Sequence, residues 1–186
     1  MSERGLYLIT GASGAGKSTL LDALAGLGYA TVAEAARAIV GEQRACGGRL
    51  LPWVDRAGFM RELLARNVRA YRCAATLGGP VFFDRGIPEC LAWMRSMGIA
   101  PDPGDAAAGT RCRYAATVFV AEPWPDIYVR DADRRVGFER AARSFETTVD
   151  AYRALGYALC ALPKVSVRER AAFVLERVAA DAEARD

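Results

Sequence analysis

An eight-residue segment near the N-terminus, Gly11 to Ser18, constrains the fold of this chain more than any other feature. It reads G-A-S-G-A-G-K-S and fits the pattern G-x-x-x-x-G-K-[ST], a loop whose backbone N–H groups surround the phosphates of a nucleoside triphosphate. Gly5–Thr10 before the loop has the apolar character of a short buried strand, and Ser18–Leu24 after it has that of a helix. The strand–loop–helix context therefore predicts nucleotide binding; the alternative is a glycine-rich turn without a ligand.

Short apolar runs alternate with amphipathic stretches along the rest of the chain, which is typical of a parallel sheet covered by helices on both faces. The pattern predicts strands at 6–10, 29–33, 81–84, 117–121 and 157–162. It predicts helices at 16–26, 34–45, 52–72, 87–97, 134–155 and 166–180, the last capped by Ser166, and a loop at 98–104. We therefore expect one doubly wound α/β domain over residues 1–186, with ligands at the carboxyl ends of the strands.

Composition limits which groups can act in catalysis and which partners and locations we expect. The chain has no histidine, so carboxylates, arginines and a metal ion must supply any catalysis. The net charge is only +3 and the basic residues are spread along helices, so we do not expect a nucleic-acid partner. No apolar run approaches the roughly 20 residues of a transmembrane helix, and residues 1–4 lead straight into the first strand, so neither a membrane span nor a signal peptide is expected.

The cysteines are odd in number and widely spaced, without a C-x-x-C pair, which argues against a disulfide framework and a zinc site. We interpret them as small buried residues of a protein in a reducing compartment, the cytoplasm. They are Cys46, Cys73, Cys90, Cys112 and Cys160.

The loop predicts that the chain binds ATP with Mg²⁺, which would be the donor in a phosphoryl transfer. Its glycines allow backbone N–H groups to point at phosphate oxygens, and the following helix adds the positive end of its dipole. Lys17 is predicted to reach the β- and γ-phosphates, Ser18 to offer its hydroxyl to Mg²⁺, and Thr19 to lie near the α-phosphate. The complete set of predicted nucleotide-binding residues is Gly11, Ala12, Ser13, Gly14, Ala15, Gly16, Lys17, Ser18 and Thr19.

Asp84 ends the apolar run Val81-Phe82-Phe83 and fits the Walker B pattern, in which a carboxylate at a strand end lies beside the Mg²⁺. Its role as a water-mediated metal ligand or as the base for an acceptor hydroxyl stays open. The alternative is a helix cap, because Asp84 lies three residues before Ile87.

Three charged residues are candidates for acceptor binding. Glu34 follows the second strand, and Arg37 lies one helical turn further on the same face, so the pair either contacts an acceptor or merely stabilises the helix start. Arg85, beside Asp84, either holds substrate oxygens or forms a surface salt bridge. Of the aromatic residues, Trp124 is the one we predict to line the acceptor pocket, and Lys164 either contacts a base edge or is an exposed loop lysine.

Arg134 and Arg135 lie where a loop meets the predicted long helix. Phosphoryl transfer spreads negative charge over the γ-phosphoryl oxygens, and an arginine that closes over them stabilises that charge. We predict that one of the two acts this way from a lid at about residues 122–137. The alternative is a solvated charge run in which Asp133 caps the helix.

Four segments in order carry a family resemblance: the phosphate loop, V-A-E-A-A-R at 32–37, V-F-F-D-R-G at 81–86 and W-P-D-I-Y at 124–128. The chain resembles the small AAA-labelled P-loop ATPase and kinase-like proteins, relatives of ribosylnicotinamide kinase and the deoxynucleoside kinases. The resemblance implies a three-layer P-loop NTPase of the nucleotide-kinase type with a five-stranded parallel sheet. It also implies that Asp84 and Arg85 match the Asp-Arg after the third strand, Glu34 and Arg37 the acceptor-side pair, and Arg134 or Arg135 the lid.

These observations favour a kinase that moves the ATP γ-phosphoryl to a small polar acceptor, nucleoside- or sugar-like. A nucleotide-dependent switch or regulatory ATPase acting through a partner is the main alternative, and a polynucleotide 5′-hydroxyl kinase is a weaker one. A GTPase is excluded, because the chain has no N-K-x-D motif and Asp84 is not followed by x-x-G. The identity of the acceptor and the oligomeric state, a homodimer among the options, are left open by the sequence.

Overall fold

The computed structural model describes residues 5–127 and 138–183, with the backbone alone for residues 138–144. Its five strands form one sheet in the order β2-β3-β1-β4-β5, and every neighbouring pair is parallel. The strands are β1 Leu6–Gly11, β2 Ala30–Val32, β3 Val81–Asp84, β4 Thr117–Ala121 and β5 Ala158–Ala161. The predicted five-stranded parallel α/β sheet is therefore confirmed.

Helices cover both faces of the sheet. They are α1 Lys17–Gly26, α2 Ala35–Cys46, α3 Arg56–Ala74, α4 Ile87–Ser96, α5 Pro103–Ala106, α6 Ala108–Arg111, α7 Phe138–Ala154 and α8 Val167–Glu183, with a 3-10 turn at Pro125–Ile127. The predicted loop at 98–104 is wrong at its end, because Pro103 opens α5: proline suits the first turn of a helix, where its missing N–H has no partner to lose.

Successive side chains of β1 point to opposite faces of the sheet, which explains why helices pack on both faces. Leu6 and Leu8 point into a core shared with α3, α4 and α7, whereas Tyr7 and Ile9 point into a second core shared with α1 and α8. Both faces are buried, so the central strand is a continuous apolar run rather than an alternating one. This arrangement places the carboxyl end of β1, and with it the phosphate loop, in the middle of the sheet edge.

The interpretation of the cysteines is only partly right. Cys90 and Cys112 are buried, but Cys46 and Cys73 are exposed, and none of the five forms a disulfide. Cys46 is the last residue of α2, before Gly47 ends the helix in the left-handed conformation, and Cys73 lies in the last turn of α3.

Within residues 5–127 and 138–183, no helix combines the length and the apolarity that crossing a bilayer would require.

Candidate nucleotide-binding site

The phosphate loop leaves β1 through a position that only glycine can fill. Gly11 has a φ of +126°, and a Cβ atom there would lie 2.1 Å from the carbonyl oxygen of Ala121 in β4. The next residue, Ala12, donates its backbone N–H to that same carbonyl at 2.9 Å. β4 therefore fixes the direction in which the loop begins, and Gly16, at a φ of +75°, ends it directly before α1.

Lys17 lies folded over the loop. Its Nζ donates to the carbonyl oxygens of Ala12 at 2.8 Å and Gly11 at 3.3 Å, and the residue is only 6% exposed. Burial lowers the pKa of Lys17 to about 8, and the neighbouring charge of Arg85 acts in the same direction. An anion in the loop would offer this ammonium group the charge partner that two carbonyls do not provide.

Ser18 and Asp84 meet across the edge of the sheet. The Ser18 hydroxyl donates to Asp84 Oδ2 at 3.2 Å, and the second carboxylate oxygen, Oδ1, is buried without a hydrogen-bond partner. Burial raises the pKa of Asp84; Lys17 opposes that rise, and Glu34 adds to it. The helix-cap alternative for Asp84 is wrong, because α4 begins after Gly86 and no side chain caps it.

Arg85 is the centre of a buried ion-pair network. Its Nε donates to Glu34 Oε1 at 3.1 Å, Nη1 to Glu89 Oε1 at 2.6 Å and Nη2 to the Gly11 carbonyl at 3.1 Å. The Arg85 side chain is 12% exposed, so the surface-salt-bridge alternative is wrong. Its backbone φ of +69° lies in the left-handed region, and these bonds hold the residue there.

Glu89 is a buried residue of the site that the sequence motifs do not predict. It is 1% exposed and accepts hydrogen bonds from the Thr10 hydroxyl, from Arg85, and from the Tyr152 hydroxyl of α7 at 3.1 Å. A signal existed, because Glu89 stands four residues after Arg85 in a helix turn that is otherwise apolar, between Ile87 and Cys90. Through Glu89, the sheet, α4 and α7 all position the Arg85 guanidinium.

Glu34 links this network to the surface. It accepts from Arg85 and also from Arg37 Nε at 3.2 Å, one turn further along α2, as the spacing predicted. Burial works to raise the pKa of Glu34, but the charges of Arg85, Lys17 and Arg37 outweigh it and hold the pKa below its usual range. Glu34 is therefore a carboxylate in this arrangement.

Two cavities meet at Glu34. A small one of about 40 Å³ lies against the phosphate loop, lined by Lys17, Ser18, Thr19 and Arg85 among others. A larger one of about 320 Å³ lies between α2 and the start of α3, with Trp53 and Phe59 in its wall. Ser13, Glu34 and Arg37 line both cavities, so a molecule in the larger one would reach the phosphates in the smaller one.

A third cavity, of about 630 Å³, lies on the opposite side of the loop. It is lined by Gly14, Gly16 and Thr19 of the loop region, and by Trp124, Lys164 and Arg170. Trp124, which we predicted to line the acceptor pocket, lines this cavity, whereas Trp53 lines the cavity of about 320 Å³ that contains Glu34. Lys164 lines this cavity as well, and its Nζ lies 3.9 Å from Glu122 Oε2.

Arg170 of α8 is a second buried residue that the sequence motifs do not predict. It is 4% exposed, donates from Nη2 to the Ala15 carbonyl at 3.2 Å, and lies over the Trp124 ring at 5.9 Å from its centroid. Its position on the apolar stripe of α8, four residues before Val174, was the available signal. Ser166 does cap this helix as expected, accepting from the backbone N–H of Glu169 at 3.3 Å.

The structure thus brings together, at the carboxyl ends of β1, β2 and β3, Lys17, Ser18, Asp84, Glu34, Arg37 and Arg85. Arg134 and Arg135 lie outside the described residues, as does most of the predicted lid at 122–137.

Comparison with known proteins gives both a family and a fold. A family model described as an AAA domain matches residues 6–170. No curated protein sequence matches the chain.

Among solved structures, deoxyadenosine kinase from M. mycoides with bound dATP is similar at a TM-score of 0.62 and 14% identity, covering 94% of this chain and 98% of that one. The same kinase with products dCMP and a flexible dCDP bound gives 0.60 and 15%, with coverage of 94% and 98%. The form with bound dCTP gives 0.59 and 14%, with coverage of 94% and 99%. At this identity the likeness establishes the fold, so the predicted three-layer nucleotide-kinase architecture is confirmed.

Proposed function

The chain belongs to the AAA-domain family matched over residues 6–170, and on that premise we propose that it is an ATP-dependent phosphotransferase acting on a small polar acceptor, nucleoside- or sugar-like. The predicted resemblance to the small AAA-labelled P-loop kinase-like proteins is confirmed by that match. One observation carries the proposal: the loop cavity and the larger cavity share Ser13, Glu34 and Arg37. A donor and an acceptor bound in the two would therefore be adjacent, which a pure switch does not require.

The donor half consists of the loop from Gly11 to Thr19. Its backbone N–H groups and the N-terminus of α1 would hold the triphosphate, and Lys17 would leave the carbonyls of Gly11 and Ala12 for the β- and γ-phosphates. That exchange replaces two neutral acceptors with an anion. The strongest charge interaction of Lys17 would thus form only when ATP binds.

Magnesium fits the residues present. Asp84 Oδ1 has no protein partner, and the Ser18 hydroxyl lies beside Oδ2 of the same carboxylate. Within the described part of the chain no group of three or more acidic, cysteine or histidine residues could hold a metal alone, so phosphate oxygens and water must complete the shell, as Mg²⁺ prefers. Mg²⁺ held by Ser18 and Asp84 would neutralise charge on the β- and γ-phosphoryl oxygens.

Glu34 is the group that we assign to the acceptor hydroxyl. It lines both cavities, whereas Asp84 lines neither of these two. In the proposed step the acceptor oxygen forms a bond to the γ-phosphorus, and the bond from that phosphorus to the β–γ bridging oxygen breaks. ADP leaves with the electron pair, and a Glu34 carboxylate oxygen takes the acceptor proton.

Arg85 and Arg37 would hold polar groups of the acceptor on either side of Glu34. Arg134 or Arg135 would close over the γ-phosphoryl oxygens from the lid at about 122–137, which stays a proposal.

The proposal is tested by measuring ATP consumption with Mg²⁺ against a panel of nucleosides, sugars, cofactors and antibiotics, with Lys17→Ala as the blank. We expect consumption to rise above the blank with one chemical group of the panel, and the phosphorylated product to appear by mass spectrometry. ATP hydrolysis that no panel member alters would instead support the regulatory ATPase.

Two variants separate the assigned roles. Asp84→Asn should lower kcat by about 100-fold or more while Mg²⁺-free ATP binding changes little. Glu34→Gln should lower kcat by about 100-fold because it removes the base, with ATP affinity unchanged. Turnover that survives either change would remove that residue from the chemistry.

A further inference from the structure

Arg170 is a buried cation at the rim of the phosphate loop. It donates from Nη2 to the carbonyl of Ala15 at 3.2 Å. Its Nη1 lies so close to Gly16 that a Cβ atom on that glycine would be 2.8 Å away. The guanidinium therefore touches the last turn of the loop from the α8 side, across the loop from Glu34.

The charge of Arg170 has no counter-ion among the described side chains. No described carboxylate forms an ion pair with it, and its Nε is buried without an acceptor. Burial lowers its pKa, and no acid of the described residues opposes that. The neutral Ala15 carbonyl and the Trp124 ring compensate only part of the cost of burying a guanidinium.

Arg85 provides the internal reference. It is similarly buried, but it donates to carboxylate oxygens of both Glu34 and Glu89. Burying a cation without such partners lowers the stability of the fold. A fold that keeps the charge in spite of that cost has it available for a ligand.

The surroundings favour an anion. Arg170 lines the cavity of about 630 Å³ together with Gly14, Gly16 and Thr19, so its exposed edge opens beside the loop backbone. The other cation of that cavity, Lys164, lies 3.9 Å from Glu122 and is half exposed, so it is partly neutralised. The loop N–H groups and the start of α1 add positive potential at the same place.

We infer that Arg170 is a donor-phosphate ligand: it binds the triphosphate from the α8 side of the loop, near Thr19, and the bound phosphates supply the counter-ion that no described side chain provides. This inference rests on the nucleotide-binding half of the proposed function. It assigns Arg170 to the phosphates and not to the base.

The test compares Arg170→Met with Arg170→Lys and with the control Arg168→Met, which removes an exposed arginine from the same helix turn. Three quantities are measured for each full-length protein: the thermal unfolding midpoint without ligand, the affinity for ATP and the affinity for inorganic tripolyphosphate, both affinities by calorimetry. Tripolyphosphate is the decisive probe because it has the phosphate chain without the base.

For Arg170→Met we expect an unfolding midpoint equal to or above that of the wild type, because an uncompensated buried charge is removed. We expect its affinity for tripolyphosphate and for ATP to fall together, by roughly 10- to 100-fold, the range of charge-assisted hydrogen bonds. Arg170→Lys keeps the charge and should lose less than the methionine variant. Arg168→Met should stay within about twofold of the wild type.

Several results would overturn the inference. One is a methionine variant that unfolds earlier or fails to fold, since Arg170 would then be a structural tie between α8 and Ala15. Another is lost ATP affinity with unchanged tripolyphosphate affinity, which would assign Arg170 to the base. A lysine variant as impaired as the methionine one would exclude a charge effect. A wild type that binds no triphosphate would instead refute the proposed function itself.

Discussion

The buried arginines on the two sides of the phosphate loop differ in their partners. Towards β3 and α2, Arg85 lies between the carboxylates of Glu34 and Glu89, and each of its three nitrogens donates a hydrogen bond. Towards α8, Arg170 has a neutral carbonyl, an aromatic ring and a buried nitrogen without an acceptor. The arginine of the first side has carboxylate partners without a ligand, whereas a bound anion would supply the partner that we infer for the second.

We infer from this difference that Arg85 is held in position for the acceptor, whereas Arg170 is available to bind an anion. A guanidinium paired on two sides is held rigidly, which suits a group that must present one edge to an acceptor. A guanidinium buried without a counter-ion stores an unfavourable electrostatic energy that an anion releases on arrival. The variants below test whether the two sides differ in this way, in order of decreasing expected effect.

Arg85→Met should produce the largest loss of stability, about 3–5 kcal/mol in the free energy of unfolding, because it leaves the buried Glu89 without its cation and removes one of the two cations that pair with Glu34. Chemical denaturation of the ligand-free protein measures the loss. Arg170→Met is the matched variant on the other side, and equal destabilisation by the two would contradict the comparison.

The pH dependence of stability tests the same comparison at Lys17, a buried cation with which no described carboxylate pairs directly. Its pKa falls from 10.5 unfolded to about 8 folded, so the unfolded chain binds more protons at this site between pH 8 and 10.5. The contribution of Lys17 to stability therefore improves as the pH rises through that window, by up to about 3 kcal/mol.

Denaturation at a series of pH values, without nucleotide and with metal chelated, should show this slope in the wild type. The difference from Lys17→Met isolates it, since the tyrosines and cysteines titrate in both proteins. Parallel stability curves for the two would mean that Lys17 keeps an ordinary pKa.

Glu89→Gln should cost about 1–3 kcal/mol, because the side chain keeps its shape but presents an N–H₂ group to the donors Thr10, Arg85 and Tyr152. Tyr152→Phe removes only one of those bonds and should cost about 1 kcal/mol. If Glu89 positions Arg85, both variants should also raise the acceptor KM while ATP affinity is retained. Lowered stability with unchanged kinetics would reduce Glu89 to a structural role.

Arg37→Gln should have the smallest effect on stability, below about 1 kcal/mol, because the arginine is 46% exposed and its pair with Glu34 is open to solvent. Its effect should appear in the acceptor KM instead. A stability loss comparable with that of Arg85→Met would mean that the ion pair with Glu34, and not burial, determines these costs.

The strands that carry the site could be predicted because their signals are local. β3 at Val81–Asp84 and β4 at Thr117–Ala121 have the predicted bounds, since each is a buried apolar run that ends at a polar residue or a proline-rich turn. β2 proved shorter than predicted, Ala30–Val32, because an edge strand pairs on one side only and is limited by β3.

The partners of the predicted residues could not be read from the sequence. Glu34 and Arg85 are 51 positions apart and form a pair only through the sheet order, in which β3 lies between β1 and β2. For Glu89 and Arg170 the sequence carries only a weak signal, a single charge on an otherwise apolar helix face. Their burial depends on which helix face packs on the sheet, and a sequence fixes that only when every residue on the face is apolar.

The position of β1 in the sheet has a consequence for how the protein folds. β1 pairs with β3 and β4, whose residues lie some 70 to 110 positions downstream, and Arg170 reaches Ala15 across 155 positions. Every parallel pair needs a long crossover, so the loop that follows β1 acquires its shape only after most of the chain has assembled. Triphosphate binding in a refolding experiment would therefore report the end of folding and lag behind the formation of helices.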